Sequence, residues 1–321
     1  MTPTDPWLRR FRGAGVDRWS RWRERGAAYL FISPWALGFI AFTAGPMLVS
    51  LVTSFTDYHI LNSGTTHWVG MANYRHALND PVLAHSFLVT LLYVALAVPA
   101  DLVTGLILAL ILNKRVPGIS WLRTAFFLPV MIAGTGGASV ATALLWLWLF
   151  QPARFGLLNY LLSLVHLPSQ SWIYSTRLVV PSLALMSLWG VGRSMLIYLA
   201  GLQGLPQEVL WASQVDGAGP WRRLWRITLP LISPAILFNL VLDLIGGLQT
   251  FTQAYVLTSG GPRDASLFYM LYLYRNAFTY FRMGYASALA WILFAFTLLV
   301  TVAVFRGARG WVFYQGIGPA R

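Results

Sequence analysis

The sequence contains no cysteine and few charged residues. Of its 321 residues, 10% are charged and 57% are hydrophobic, and the mean hydropathy is +0.61. Ordinary soluble domains carry about 25% charged residues. The absence of cysteine excludes disulfides and cysteine-ligated metal sites. The low charge content excludes an ordinary soluble domain and predicts that most of the chain faces lipid or other apolar helices.

Lysine and acidic residues are also scarce. The only lysine, Lys114, follows Asn113, whereas a phosphate-binding loop needs glycines before a Gly-Lys-Ser/Thr sequence. The chain therefore cannot hydrolyse ATP by itself. Its ten acidic residues do not cluster, and its five histidines form no pair at metal-ligand spacing. We predict no catalytic residue, no metal site and no cofactor bound by this chain.

Long apolar runs dominate the remainder of the sequence. A bilayer core of about 30 Å is crossed by about 20 helical residues. Six segments are long enough, at about 29–55, 86–112, 122–150, 178–203, 229–258 and 284–305. We predict an all-α integral membrane protein with a six-helix domain at 29–305. A basic segment precedes it at 1–28, either lying at the membrane interface or disordered, and a tail follows at 306–321.

The basic residues indicate how the chain is oriented. Sixteen of the 23 lie in the N-terminal segment, the connection between the second and third spans, the loop after the fourth span, and the tail. Basic residues favour the cytoplasmic side of a membrane. We therefore predict that both termini and the loop at 205–234 are cytoplasmic, in a multi-pass protein of the bacterial inner membrane. We attribute the net charge of +13 to these basic residues on the cytoplasmic side, and we expect no nucleic-acid partner.

The loop at 205–234 is polar and lies between two apolar runs. Pro206 is expected to start a short helix in it, and Gly217 to end that helix. Asp216-Gly217-Ala218, followed by Trp221 and Ile227-Thr228-Leu229-Pro230, resembles the EAA loop of ABC-importer permeases. The resemblance is closest to the carbohydrate-uptake branch, which imports maltose, lactose or glycerol-3-phosphate. Further matching motifs occur in the family's order at 70–74, 127–129, 199–203 and 258–262.

This resemblance implies a type I ABC importer permease with several partners. These are a second homologous permease, a cytoplasmic ATPase dimer that binds ATP and Mg²⁺, an external solute-binding protein or lipoprotein, the membrane lipid, and a small solute. The short helix would sit in a groove of the ATPase. Trp211 stands where the family has a glutamate, so apolar anchoring would replace a charged contact. The implied coupling residues are Glu208, Trp211, Ala212, Ser213, Asp216, Gly217 and Ala218.

Charged residues inside membrane spans are costly and indicate function. Asp101, Arg193 and Asp243 are such residues. On the fifth span, Gly247 and Thr250 would share a helical face with Asp243, and Asn239 would extend that face by one turn. The resemblance places the sugar site on the fourth and fifth spans. The implied solute-binding residues are Trp189, Gly190, Arg193, Asp243, Gly247 and Thr250.

Several alternatives remain open from the sequence. Arg193 could bind a phosphate or carboxylate of the solute, or pair with Asp243 as part of the structure. Asp101 is expected to contact a neighbouring helix or polar groups of the core. The alternatives to an importer permease are a self-sufficient secondary transporter or channel and an integral-membrane enzyme. The solute could be a disaccharide, an oligosaccharide or a glycerophosphodiester.

Overall fold

The computed structural model of the chain describes residues 18–114, 117–133, 140–152 and 155–313. Across these ranges the fold is helical and contains no strand, apart from one isolated bridge between Thr56 and Trp68. The all-α prediction is confirmed for this part of the chain. Residues 1–17 of the predicted interfacial segment and residues 314–321 of the predicted tail lie outside the described residues.

Three of the predicted spans are long helices. The first consists of α1 (Arg18–Phe39), a π-helical turn (Ile40–Ala44) and α2 (Gly45–Thr53). The second is α4 (Pro81–Leu112), which follows the short α3 (Ala72–Leu78), and the sixth is α16 (Met283–Ala308). Each is long and apolar enough to cross a bilayer, the first over Tyr29–Thr53.

Helix α4 lies at the centre of the fold. It begins at Pro81, directly after Asp80, whose side chain accepts hydrogen bonds from the backbone amides of Val82 (2.9 Å) and Leu83 (3.2 Å). These bonds satisfy amides that have no partner within the first helical turn. The hydroxyls of Tyr272 and Tyr285 also donate to Asp80. One carboxylate therefore fixes the start of α4 against two later parts of the chain.

The third predicted span is described as two shorter helices. These are α5 (Ile119–Ala133) and α6 (Val140–Leu149), and residues 134–139 between them lie outside the described ranges. Helix α7 (Leu157–Leu164) follows. By length and composition, the described helices include three candidate spans, or five if each of two bent pairs forms one span. The third span, and with it the count of six, stays a prediction, as does the orientation of the termini.

The fourth span is bent. Helix α8 (Val179–Ser187) continues into a 3₁₀ turn (Leu188–Gly190), and α9 (Gly192–Gln203) leaves at 49° to the first arm. A Cβ on Gly192 would lie 2.2 Å from the carbonyl oxygen of Phe126. Only glycine therefore allows α9 to approach α5 this closely.

The fifth span is not the continuous helix that was predicted at 229–258. The segment Pro220–Leu231 meets α13 (Ser233–Leu248) at an angle of 66°. The bend lies at Ile232, with φ −92° and ψ 6°, next to Pro234 in the first turn of α13. Helix α13 ends at Leu248, and the separate α14 (Thr252–Leu257) follows. Proline and the non-helical Ile232 break the hydrogen-bond ladder that a continuous helix would need.

Short elements complete the described chain. Between α9 and α13 they are α10 (Gln207–Val215), α11 (Pro220–Arg223), a π turn (Leu224–Thr228) and α12 (Leu229–Leu231). The others are a 3₁₀ helix (Ile60–Thr65), α15 (Tyr269–Tyr274) and a π turn (Arg275–Thr279). Helix α4 contacts α8, α9, α13 and α15. The polar residues on its inward face are therefore enclosed by both bent spans.

Candidate functional site

A cavity of about 210 Å³ lies where α4 meets the two bent spans. Its apolar walls come from α4, α5 and the glycines of α13. Polar side chains from three spans face it, and none of these spans alone could form the site. The polar lining residues are Tyr93, Asp101, Ser187, Arg193, Asp243, Thr250 and Gln253.

Arg193 and Asp243 form an ion pair in this cavity. The Nη2 group of Arg193 donates to Oδ1 of Asp243 at 2.6 Å. The Asp243 side chain is only 7% exposed, whereas that of Arg193 is 42% exposed. The second carboxylate oxygen, Oδ2, is buried and has no hydrogen-bond partner among the described residues. Pairing between these two residues, one of the alternatives left by the sequence, is the arrangement found.

Asp101 belongs to a second polar link across the same helices. The hydroxyl of Ser194 donates to Oδ2 of Asp101, and the side-chain amide Nδ2 of Asn239 donates to the carbonyl oxygen of Ser194 at 3.3 Å. Gly105 makes this approach possible, since a Cβ there would lie 2.9 Å from Cβ of Ser194. Asp101 contacts a neighbouring helix, as expected, and also lines the cavity.

Most of the predicted solute-binding residues meet in this cavity. Gly190, Arg193, Asp243, Gly247 and Thr250 line it. The prediction that Thr250 shares a helical face with Asp243 is wrong, because α13 ends at Leu248, before Thr250. The hydroxyl of Thr250 instead donates back to the carbonyl oxygen of Gly246 at 3.1 Å.

Trp189 is placed differently from the prediction. It is absent from the described lining of the cavity and packs edge-to-face against Trp146, with ring centroids 6.1 Å apart. The aromatic ring on the cavity wall is that of Tyr93, which is 3% exposed. The 3₁₀ turn at Leu188–Gly190 and the bend after it change the face on which Trp189 falls.

The sequence reasoning missed Tyr93, Ser187 and Gln253. The Tyr93 hydroxyl donates to Oε1 of Gln253 at 3.3 Å, so that α4 is joined to α14. Tyr93 and Asp101 lie two turns apart on one face of α4, a spacing that could have identified Tyr93. Gln253 follows a helix break that the apolar pattern does not predict, so it gave no comparable signal.

The short helix α10 has the ends that were predicted. Pro206 precedes it, and Gly217 after its end has a φ of +72°, a conformation that glycine adopts without strain. The amide of Ala218 donates to the carbonyl oxygen of Ser213 at 3.0 Å, and that of Gly217 donates to Gln214 at 3.1 Å. These bonds close the last turn of the helix.

The implied coupling residues differ in exposure along α10. Ser213 is buried, and its hydroxyl donates to the carbonyl oxygen of Leu210 at 2.6 Å. Trp211 is 62% exposed, and Trp221 and Trp225 in the following segment are also exposed. Ala218 is half-buried, and the other exposed members of the set are Glu208, Ala212, Asp216 and Gly217. Three exposed indoles on one polar loop are typical of a surface that binds a partner.

Within the described residues, no three His, Asp or Glu side chains form a group that could hold a metal ion. Carboxylates are present in the cavity, but one is paired with a guanidinium and the other accepts a hydroxyl hydrogen bond. The arrangement can donate and accept hydrogen bonds. These are features of a binding site inside a helical membrane protein.

Comparison with known proteins agrees with this geometry. Residues 77–311 match the family described as "Binding-protein-dependent transport system inner membrane component". The chain is 40% identical to the probable ABC transporter permease protein YesP of Bacillus subtilis over 94% of this chain and 98% of that protein. It is 31% identical to the sulfoquinovosyl glycerol permease SmoG of Agrobacterium fabrum, covering 92% and 95%. The trehalose permease SugA of Mycobacterium tuberculosis is 32% identical, covering 86% of each chain.

A solved structure has the same fold. The alginate ABC transporter in complex with an alginate pentasaccharide-bound periplasmic protein contains a chain that matches with a TM-score of 0.75 and 21% identity. The match covers 91% of this chain and 96% of that one. The fold is therefore that of a type I ABC permease. The chain belongs to the family of binding-protein-dependent transport system inner membrane components, and it is a transport subunit of an ABC importer rather than an enzyme.

Proposed function

We propose that this permease translocates a carbohydrate or a related polyhydroxyl solute through the cavity around Arg193 and Asp243. The observation that carries the proposal is the concentration of hydrogen-bonding side chains from three spans at one point inside an apolar bundle. Buried polar groups are costly unless they bind something or one another. Relatives named for sulfoquinovosyl glycerol, trehalose and arabinooligosaccharides support this solute class.

The charges favour a solute that donates hydrogen bonds. The cavity has two carboxyl groups and one guanidinium, and Asp243 already occupies part of that guanidinium. Sugar hydroxyls can donate to carboxylates of the cavity and to the side-chain carbonyl oxygen of Gln253. A phosphate bound by Arg193 would have to displace Asp243 and approach Asp101. Neutral sugars therefore fit this wall better than glycerophosphodiesters.

The cavity formed by this chain is small for an oligosaccharide. Its volume is about 210 Å³, whereas pockets for drug-sized ligands have about 300–1,000 Å³. A second homologous permease packed against this chain would complete the walls. An external solute-binding protein would deliver the solute, as the family description implies.

Helix α10 is proposed to contact a cytoplasmic ATPase dimer that binds ATP and Mg²⁺. The exposed Trp211 would insert into the ATPase groove, and Glu208, in the first turn, would lie at the polar rim. Buried aromatic anchors contribute much of the energy of many interfaces. The loop and both termini would then lie in the cytoplasm, in agreement with the distribution of basic residues.

The solute site is tested by uptake into vesicles that contain the assembled transporter. Asp243→Ala should raise the KM for the cognate sugar, because a hydrogen-bond acceptor is lost and Arg193 loses its orientation. Thr301→Ala on α16, outside the cavity, serves as the control for expression and assembly. Unchanged affinity and selectivity in both Asp243→Ala and Arg193→Ala would remove the cavity assignment.

The coupling role is tested separately by co-purification. Trp211→Ala should lower retention of the ATPase subunits, because truncating a buried interface tryptophan commonly costs about 2 kcal/mol or more. Trp68→Ala is a matched control, since Trp68 is similarly exposed at 67% but lies in the connection before α3. A Trp211→Ala complex that retains its ATPase and transports normally would contradict the role.

A further inference from the structure

A second cavity, of about 800 Å³, lies beside α10. The end of α4, the first turns of α5, the end of α9 and one face of α10 enclose it. Its polar wall consists of two cations, Lys114 and Arg123, and three amides, Asn113, Gln203 and Gln207. This cavity is separate from the one between Arg193 and Asp243, and the proposed transport of a solute does not use it.

The charge of this wall is uncompensated. Among the described lining residues there is no Asp or Glu. The Lys114 side chain is exposed and forms no ion pair with any carboxylate in the described ranges. Arg123 is held in place, since its Nε and Nη2 donate to the carbonyl oxygen of Leu112 at 3.2 and 2.7 Å. A fixed guanidinium and an ammonium without an ion pair among the described residues thus line the same cavity.

We propose that this cavity binds the phosphate of an anionic phospholipid from the adjacent leaflet. Guanidinium, ammonium and amide donors together match the oxygens of a phosphate group. Basic pockets between transmembrane helices on the cytoplasmic side are known to bind anionic headgroups. The assignment rests on the proposed cytoplasmic position of α10, which places the cavity at the level of the inner headgroups.

The surface next to the cavity favours a lipid over a soluble phosphate. Ile111, two residues before Asn113, is 50% exposed, and Leu122, directly before Arg123, is 49% exposed. Trp121 is 81% exposed on the same turn of α5. These side chains give acyl chains an apolar surface beside the basic wall, and indoles commonly lie at the level of the headgroups. A soluble phosphate ester would share the headgroup chemistry without using this apolar surface.

A headgroup bound here would connect the coupling helix to the bundle. Gln207 of α10 lines the same cavity as Lys114 and Arg123. A phosphate between them would therefore hold α10 against α4 and α5. Occupancy by anionic lipid should stabilise the position of α10.

The test uses the full-length permease in its complex, reconstituted in phosphatidylcholine nanodiscs with or without phosphatidylglycerol. Native mass spectrometry counts the phosphatidylglycerol molecules that remain bound. Lys114→Gln should weaken retention about fivefold, the effect expected for one basic residue near an anionic membrane surface. Lys114→Gln/Arg123→Gln should weaken it roughly 25-fold on the same basis. Arg222→Gln is the matched control, a basic residue of the loop at 205–234 that does not line the cavity.

The outcomes separate the possible occupants. Equal retention of phosphatidylglycerol in wild type and Lys114→Gln would overturn the proposal. Lys114-dependent binding of inorganic phosphate, without any dependence on phosphatidylglycerol, would assign the cavity to a soluble phosphate and overturn the lipid assignment. Loss of the ATPase subunit from the Lys114→Gln complex, with lipid retention unchanged, would assign the cavity to the ATPase. That result would also overturn the lipid assignment.

Two features keep the result of this test independent of misfolding and of the outcome of the ATPase co-purification test. If Arg123→Gln disturbs the end of α4, Lys114→Gln alone decides, because no hydrogen bond or ion pair joins the Lys114 side chain to the rest of the described fold. The readout is bound lipid rather than transport. It therefore fails separately from the co-purification test of Trp211.

Discussion

The two partners of the ion pair in the cavity should contribute unequally to stability. Asp243 is almost fully buried, whereas water can reach two-fifths of the Arg193 side chain. Removing Arg193 leaves a buried carboxylate without its counter-charge, and breaking a buried pair in this way costs about 3–5 kcal/mol. Removing Asp243 leaves a guanidinium that water in the cavity can solvate. That loss should be about 1.5–3 kcal/mol, the value of a hydrogen bond to a charged group.

The assay is thermal unfolding of the purified complex in nanodiscs. Arg193→Gln should lower the Tm more than Asp243→Asn, and both substitutions preserve most of the side-chain volume. The double variant should be more stable than the sum of the single losses predicts, since the carboxylate that loses its counter-charge in Arg193→Gln is then absent. The coupling should be of the order of 2 kcal/mol, within the range for residues in direct contact.

The second ion pair of the described fold provides the control. Arg275 and Asp264 are 3.4 Å apart, and the Asp264 side chain is 54% exposed. Asp264→Asn should therefore cost less than about 1 kcal/mol, as exposed pairs usually do. Equal Tm losses for Arg193→Gln and Asp243→Asn, or additive losses in the double variant, would refute the reasoning. Either result would mean that water solvates both partners alike.

Two other predictions concern packing and pH. Gly192→Ala should destabilise the fold by about 1–3 kcal/mol or more, because its Cβ would lie 2.2 Å from the carbonyl oxygen of Phe126. Gly307→Ala is the control: its Cβ would meet nothing within 4 Å, so the Tm should be unchanged or slightly higher. Burial alone would raise the pKa of Asp80, but hydrogen bonds from Tyr272, Tyr285 and two backbone amides hold that pKa below its ordinary value of 3.8. A carboxylate with a depressed pKa stabilises the folded state above about pH 4, and this contribution is lost as the pH falls through the folded value. Asp80→Asn should therefore lower the Tm at neutral pH and reduce its decline in acid, as measured by unfolding scans across pH 2–7; an unchanged pH profile would contradict this role.

The sequence predicts the long helices well and the bent ones poorly, for a physical reason. Apolar length alone identifies α4 and α16, because crossing a bilayer requires about 20 apolar residues. The bends at Val191 and Ile232 leave the apolar pattern intact. Proline and glycine are tolerated within membrane helices when neighbouring groups satisfy the freed backbone. The presence of Pro234 therefore could not show whether the fifth span bends there or continues.

The residues of the candidate site were likewise predicted well where the sequence carries a clear signal and poorly where the chain bends or breaks. Asp101, Arg193 and Asp243 were found because a charge inside an apolar span is costly and stands out. Trp189 was assigned through the family resemblance, whereas in the structure it lies in a 3₁₀ turn, which advances each residue by about 120° instead of 100°. Its ring therefore lies against Trp146 instead of facing the cavity. Gln253 faces the cavity because the chain breaks after α13, and no periodic pattern specifies that break.

The bends would let the cavity respond to a movement of α10. Helix α9 carries Arg193 in its first turn and ends at Gln203, only a few residues before α10 begins at Gln207. Asp243 lies on α13, which is separated from the loop by the bend at Ile232. A shift of α10 therefore reaches Arg193 along one straight helix, but reaches Asp243 only across a bend. If the two arms move by different amounts, the Arg193–Asp243 distance should change when α10 moves. The ion pair consequently lies where movement of the loop would alter the charge presented to a solute.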